Sequence, residues 1–216
     1  MRKTPPYEQS VFINCPFGSW YKPLMRALIF AVYDCGFAPR SALEADNASE
    51  VRFLKILRII SDCKFGIHDL AREKSPRSHR LPHFNMPLDL GLFLGASNLG
   101  VGRDRAKQCL ILDRDRHRYR TFCSDLAGHD IHDHGGKPAQ AITRVRDWLS
   151  IPAADEGIEI PSGSIIAARY KQFESILPEW VTLQQRRIRE LTYTDERLLV
   201  EKWLKENPWS ETTSSF

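Results

Sequence analysis

Short apolar runs, each followed by a stretch of helical periodicity, constrain this chain more than any other feature. Val11-Phe12-Ile13-Asn14-Cys15 is one, stopped by Pro16; Phe37 to Leu43 is a second. Lys64-Phe65-Gly66-Ile67 leads into a third, and Cys109-Leu110-Ile111-Leu112 is a fourth, ending at Asp113. Between the first two lies Tyr21 to Cys35, with Leu24, Leu28, Ala31 and Val32 on one helical face and Gly36 as its stop. Between the next two, Ser49 can cap a helix whose apolar face carries Val51, Leu54, Ile56, Leu57, Ile59 and Ile60. Runs this short, with little polar alternation, suit strands buried on both sides. Strands separated by helices require crossovers, so the pattern predicts an α/β fold: a parallel sheet with helices on both faces.

The third interval holds Phe84-Asn85-Met86-Pro87-Leu88-Asp89-Leu90-Gly91-Leu92-Phe93-Leu94-Gly95, an apolar helix interrupted by the single carboxylate Asp89. A basic, proline-containing loop from Arg72 to Pro82 precedes it, long enough to cover a site. After an irregular polar stretch from Arg114 to Gly136, Ala139 to Leu149 is a helix that closes a domain spanning residues 1–150. Residues 151–163 shift to Pro, Gly, Ala and acidic residues and read as a linker. Residues 164–216 then form a small helical C-terminal appendage, with helices over Ile165–Leu177 and Leu183–Leu204. A length of 216 residues accommodates one domain of about 150 residues plus such an appendage.

Open parallel sheets bind ligands where strand ends meet their following loops, and the polar groups gather there. Asn14 follows the first strand, Glu44 the second, His68 and Asp69 the third, and Asp113 the fourth. This places Glu44, Asp69 and Asp89 around one crevice. Carboxylates in a crevice can hold ribose hydroxyls, or stabilise or attack the oxocarbenium-like centre formed when an N-glycosidic bond breaks. The same residues can equally serve as helix caps and turn formers. The cluster His129-Asp130-Ile131-His132-Asp133-His134 is flanked by Gly128 and Gly135-Gly136, which favours a solvated loop or helix start over a metal centre. No metal site is expected, and there is no GxGxxG, P-loop or GxSxG motif. Five cysteines, odd in number and never spaced CxxC, point to reduced thiols, with Cys15 a buried one. A net charge of +4 with dispersed arginines argues against direct nucleic-acid binding. With no membrane-length apolar segment and no leader behind Met1, a cytoplasmic protein is expected.

With these residues in hand, Val11 to Leu149 resembles the nucleoside 2-deoxyribosyltransferase-like superfamily and its bacterial TIR-like relatives. The Asn14-Cys15-Pro16-Phe17 loop with Tyr21 is similar to the family's base- and sugar-binding first loop. Ile67-His68-Asp69-Leu70 is similar to its ribose-facing aspartate loop, and Asn85-Met86-Pro87-Leu88-Asp89-Leu90-Gly91 to its catalytic segment. There the family carries glutamate and this chain Asp89, one methylene shorter. The resemblance implies a flavodoxin-like three-layer sandwich and an N-glycosidase, NAD nucleosidase or deoxyribosyltransferase-like activity. It implies Asp89 and Asp69 as catalytic residues, with Asn14, Phe17, Tyr21, Glu44, His68 and Asn85 as substrate-binding residues. NAD or another nucleotide would be substrate or ligand, with no resident cofactor. It also implies a bacterial antiviral-defence role, as a homo-oligomer or a subunit of a defence complex. Two alternatives stay open: a non-catalytic nucleotide sensor acting through an assembly, and a subunit whose crevice is vestigial.

Overall fold

The pleat of a strand sends successive side chains to opposite faces, and here that alternation sorts the core into layers. The computed structural model of the chain describes residues 4–44, 49–72 and 84–209. Among them, five parallel strands form one sheet: β1 (Ser10–Asn14), β2 (Ala38–Arg40), β3 (Phe65–Asp69), β4 (Gln108–Asp113) and β5 (Ile131–Asp133). Their order is β2-β1-β3-β4-β5, so the winding direction reverses between β1 and β3. The helices are α1 (Lys22–Asp34), α2 (Arg52–Ser61), α3 (Asn85–Leu99), α4 (Pro138–Asp155), α5 (Gly163–Leu183) and α6 (Tyr193–Glu206).

Val11 and Ile13 of β1, Phe65 and Ile67 of β3, and Leu110 and Leu112 of β4 face a core shared with α1, α4, α5 and α6. Phe12 turns the other way, to Ile56, Ile59 and Ile60 of α2 and Phe93 of α3, and Ile111 packs with Met86 and Leu90 of α3. The result is the parallel sheet covered on both faces that the strand–helix alternation predicts, a three-layer α/β sandwich consistent with the flavodoxin-like fold implied by the resemblance.

The last two helices are less separate than the sequence suggests. α4 runs on to Asp155, through the first part of the expected linker. Leu177 and Phe173 of α5 and Val200 and Trp203 of α6 belong to the same buried cluster as Phe30 of α1. Charge ties them further. Arg26 on α1, only 4% exposed, donates to Glu196 Oε1 of α6 at 2.8 Å and to Glu174 Oε1 of α5 at 2.7 Å. The helix expected over Leu183–Leu204 is also interrupted. α5 stops at Leu183, Gln185 takes a left-handed φ of 55°, and α6 begins at Tyr193 behind a Thr192–Asp195 capping box.

Two further differences concern strands. β2 is confined to Ala38–Arg40, inside the longer run from Phe37 to Leu43. β5 lies in the stretch expected to be irregular, because three residues pairing at an edge carry too little pattern to stand out.

Removing Glu196 leaves the buried Arg26 guanidinium with Glu174 as its remaining carboxylate partner, so Glu196→Ala should destabilise the protein by about 1–3 kcal/mol. Arg26→Met combined with Glu196→Leu should recover most of that loss. Denaturant unfolding should show one transition in which α5 and α6 melt with the sheet; an early, separate helical transition would contradict the shared core.

Candidate functional site

β3 ends at the switch point, and its pleat decides which polar residues can meet there. His68 points to the α3 face and Asp69 to the α1 face, as Ile67 does. Asp69 is fully buried. Its Oδ2 accepts from the Tyr21 hydroxyl, and its Oδ1 accepts the Ala71 N–H at 2.8 Å. His134, just past β5 and also fully buried, places Nε2 3.0 Å from Asp69 Oδ2, at ion-pair distance though not aligned as a hydrogen bond. Its Nδ1 accepts the N–H of Gly136, a residue at φ 76°, so in the neutral ring the proton sits on Nε2, towards Asp69. Asp69 and Tyr21 therefore form an internal strut joining β3, the start of α1 and the end of β5. Neither meets the crevice in the way expected of a catalytic acid and a base-stacking ring. The dense histidine loop turns out to contribute a buried member of that strut, His134.

On the α3 face, Asn14 Nδ2 donates to Met86 O at 2.9 Å and lies 3.1 Å from His68 Nδ1. With Nδ1 accepting, His68 carries its proton on Nε2. It packs edge-on against Phe12 and Phe93, with Nε2 so close to Gly66 that a Cβ there would stand 2.7 Å from it. Burial pushes the His68 pKa down to about 3, so it is a neutral core residue. Asn14 Oδ1 and His68 Nε2 have no hydrogen-bond partner among the described residues.

Asp89 falls on the buried stripe of α3 with Met86, Leu90 and Phe93, and is 3% exposed. Burial raises its pKa to about 6, opposed by the positive charge of Arg52 on α2. That guanidinium also stands 5.5 Å from the centroid of the Phe17 ring.

Arg52 and Phe17 in turn border a cleft of about 540 Å³ beside the carboxyl ends of β1 and β2. Glu44, Lys22 and Lys55 line it too, and its far wall comes from the start of α6, including Thr192 and Tyr193. Glu44 is occupied by Arg40, which grips both its oxygens. The structure thus brings Phe17 and Glu44 together in the cleft, sets Asp89 behind Arg52, and joins Asn14 to His68 beside α3. Asn85 is exposed at the start of α3. Asp113 is buried and held by Arg118 through Oδ1. Of the basic loop expected over Arg72 to Pro82, residues 73–82 lie outside the described residues.

Arg52, Lys55 and Lys22 are the residues the sequence reading passed over. Their signal was present: all three are cations in or next to the first turn of a helix, where the dipole favours acids. Nothing in the sequence pointed to Thr192 and Tyr193.

Opposite pH dependences follow for the two perturbed groups. Folded Asp89 keeps its proton above the usual 3.8, so its contribution to stability falls as pH rises from about 4 to about 6. Folded His68 resists the proton that the unfolded chain accepts below 6.5, so its contribution falls as pH drops from 6.5 towards 3. In urea titrations across this range, Asp89→Asn should gain on the wild type between pH 4 and 6 and hold a constant advantage above. His68→Leu should flatten the acid limb. A pH-independent difference for Asp89→Asn would show that its carboxyl is not desolvated.

No family model matches the chain, and no curated protein or solved structure matches it.

Proposed function

We propose that the chain binds a nucleotide in the cleft between Phe17, Arg52 and the start of α6, and cleaves its N-glycosidic bond with the help of Asp89. The observation that carries this reading is the sharing of Arg52. One guanidinium borders a cleft with an aromatic wall and a cationic lining, and also faces a desolvated carboxyl. Phe17 offers a face for a base. Asp89, ionised above about pH 6, supplies negative charge where an oxocarbenium-like sugar needs it. Asn14 and His68 hold the first turn of α3, and with it Asp89, against the sheet. NAD or a related nucleotide enters as substrate, not as a resident cofactor.

A second reading, a sensor without turnover, is favoured by the wall that α6 contributes. A ligand touching Thr192 and Tyr193 would report directly to the C-terminal helices and to any homo-oligomer or defence complex built on them. Among the described residues no helix is long and apolar enough to cross a membrane, and every cysteine is a free thiol. The free thiols fit the cytoplasmic setting proposed for the chain.

Incubation with NAD and with nucleosides, followed by chromatography for the released base, separates the two readings. The enzyme reading predicts base release by the wild type and a loss of about a hundredfold or more in Asp89→Asn. Saturable binding without product, unchanged in Asp89→Asn, would establish the sensor instead.

A further inference from the structure

The two faces of the sheet are covered unequally. α1 and α4 lie under a further layer, since α5 and α6 pack into the same buried cluster. α2 and α3 share the other face, where Leu92, Phe93 and Ala96 of α3 meet Ile56, Ile59 and Ile60 of α2. Among the described residues the outer side of these two helices stays bare. Phe84, Leu88 and Leu99 at α3 are 56%, 52% and 86% exposed, and Val101 follows at 77%. Phe53, Leu54 and Leu57 of α2, with Val51 just before it, are exposed as well. A helix that is apolar all round belongs in an interior, yet α3 turns one apolar side to the surface. From Phe84 to Gly102 the only charged residue is Asp89, and it is buried on the inner stripe.

Area says how large a partner this side needs. Fully exposed, a large apolar residue presents roughly 150–250 Å². The exposed fractions on α2 and α3 therefore amount to on the order of 800 Å² of apolar surface in one layer. Monomers rarely carry a patch above about 300–600 Å², and each partner in a standard stable interface contributes about 800 Å². Charge narrows the occupant. Arg58 at the α2 edge is paired with Glu50, and the outer side of α3 carries no charge to attract an acidic or basic partner. Two copies of a chain with net charge +4 meet least repulsion where charge is missing. Shape agrees. Gly91 and Gly95, one turn apart on α3, leave nothing within 4 Å of an added Cβ, and helical spacing sets them between Leu88 and Leu99. Two antiparallel copies of α3 crossing there bring glycine opposite glycine, where backbones approach closely, with Leu88 beside the partner's Leu99 at each end. Such a contact is isologous, the same patch on both chains.

We propose that the outer side of α3, flanked by α2, is the contact face of a two-fold homodimer of this chain. None of the exposed apolar residues on it lines the cleft, so the pairing is independent of the nucleotide reading and leaves the cleft to a ligand. It also differs from an assembly built on the C-terminal helices, which pack on the opposite face of the sheet.

Size exclusion with light scattering, run on the full chain across the micromolar range, tests this. The wild type should reach the mass of two chains. Leu88→Lys puts a charge into the dry contact and should weaken the dimer by about a hundredfold or more, leaving a monomer. Gly91→Leu should separate the copies by filling the notch. Because a helix favours leucine over glycine, its monomer should melt no lower than the wild-type monomer at equal dilution. Leu183, exposed at the end of α5, serves as the control: Leu183→Lys should leave the dimer intact. A wild type that stays monomeric throughout, or a dimer that survives both Leu88→Lys and Gly91→Leu, would overturn the contact. So would a dimer that Leu183→Lys dissociates and Leu88→Lys does not, since that would place the interface on the C-terminal helices.

Discussion

The carboxylate of Asp69, buried at the end of the central strand, is the interaction on which the arrangement of this molecule depends. A carboxyl group at that depth is tolerated only when its oxygens are met. Here the partners come from three separate parts of the chain: the Tyr21 hydroxyl, the Ala71 N–H and the His134 ring. Meeting them fixes where α1 begins and how the chain leaves β3. It also fixes how the turn after β5, with Gly136 donating to His134, approaches the sheet. The strut fills the switch point beside β3, so ligand chemistry is left to the neighbouring cleft, bounded by the starts of α1, α2 and α6.

That division explains why two carboxylates close in the expected site do not act together. Asp69 belongs to the framework, while Asp89 stands across the sheet on the buried stripe of α3, with Arg52 as its facing charge. The cleft gains its character less from acids than from helix ends, with Lys22 and Arg52 opening α1 and α2 against the preference of the dipole. Because the α6 wall is anchored through Lys22 and the Arg26–Glu196 pair, the C-terminal helices are part of the site's construction.

Much of the fold was legible because it rests on pattern. The apolar runs at Val11, Phe65 and Cys109 and the amphipathic stretches between them dictate a parallel sheet covered on both faces, and Gly36 marks the end of α1 with φ 85°. β5 and the interruption between α5 and α6 were not legible, since three edge residues and one left-handed Gln185 leave no periodic trace. The site was legible by position but not by facing. Strand ends gathered Asn14, Glu44, His68 and Asp69 around one crevice; the structure sets Glu44 on the cleft and buries the other three. A period of two would already have put His68 and Asp69 on opposite faces of β3. Tyr21 is expected to bind substrate because its loop resembles a base- and sugar-binding loop; its hydroxyl is instead committed to Asp69. Residues brought in from far along the chain, His134 and Tyr193, became visible only once the helices were packed.

The central claim is spatial: a nucleotide occupies the cleft at the starts of α1, α2 and α6, with its sugar turned towards Asp89. A crystal structure of the protein soaked with ADP or NAD tests that most directly. The account predicts ligand density beside Arg52, with the base against Phe17 and the ribose turned towards the Asp89 carboxyl. Nucleotide density elsewhere on the molecule, with this cleft filled by ordered water alone, would contradict it.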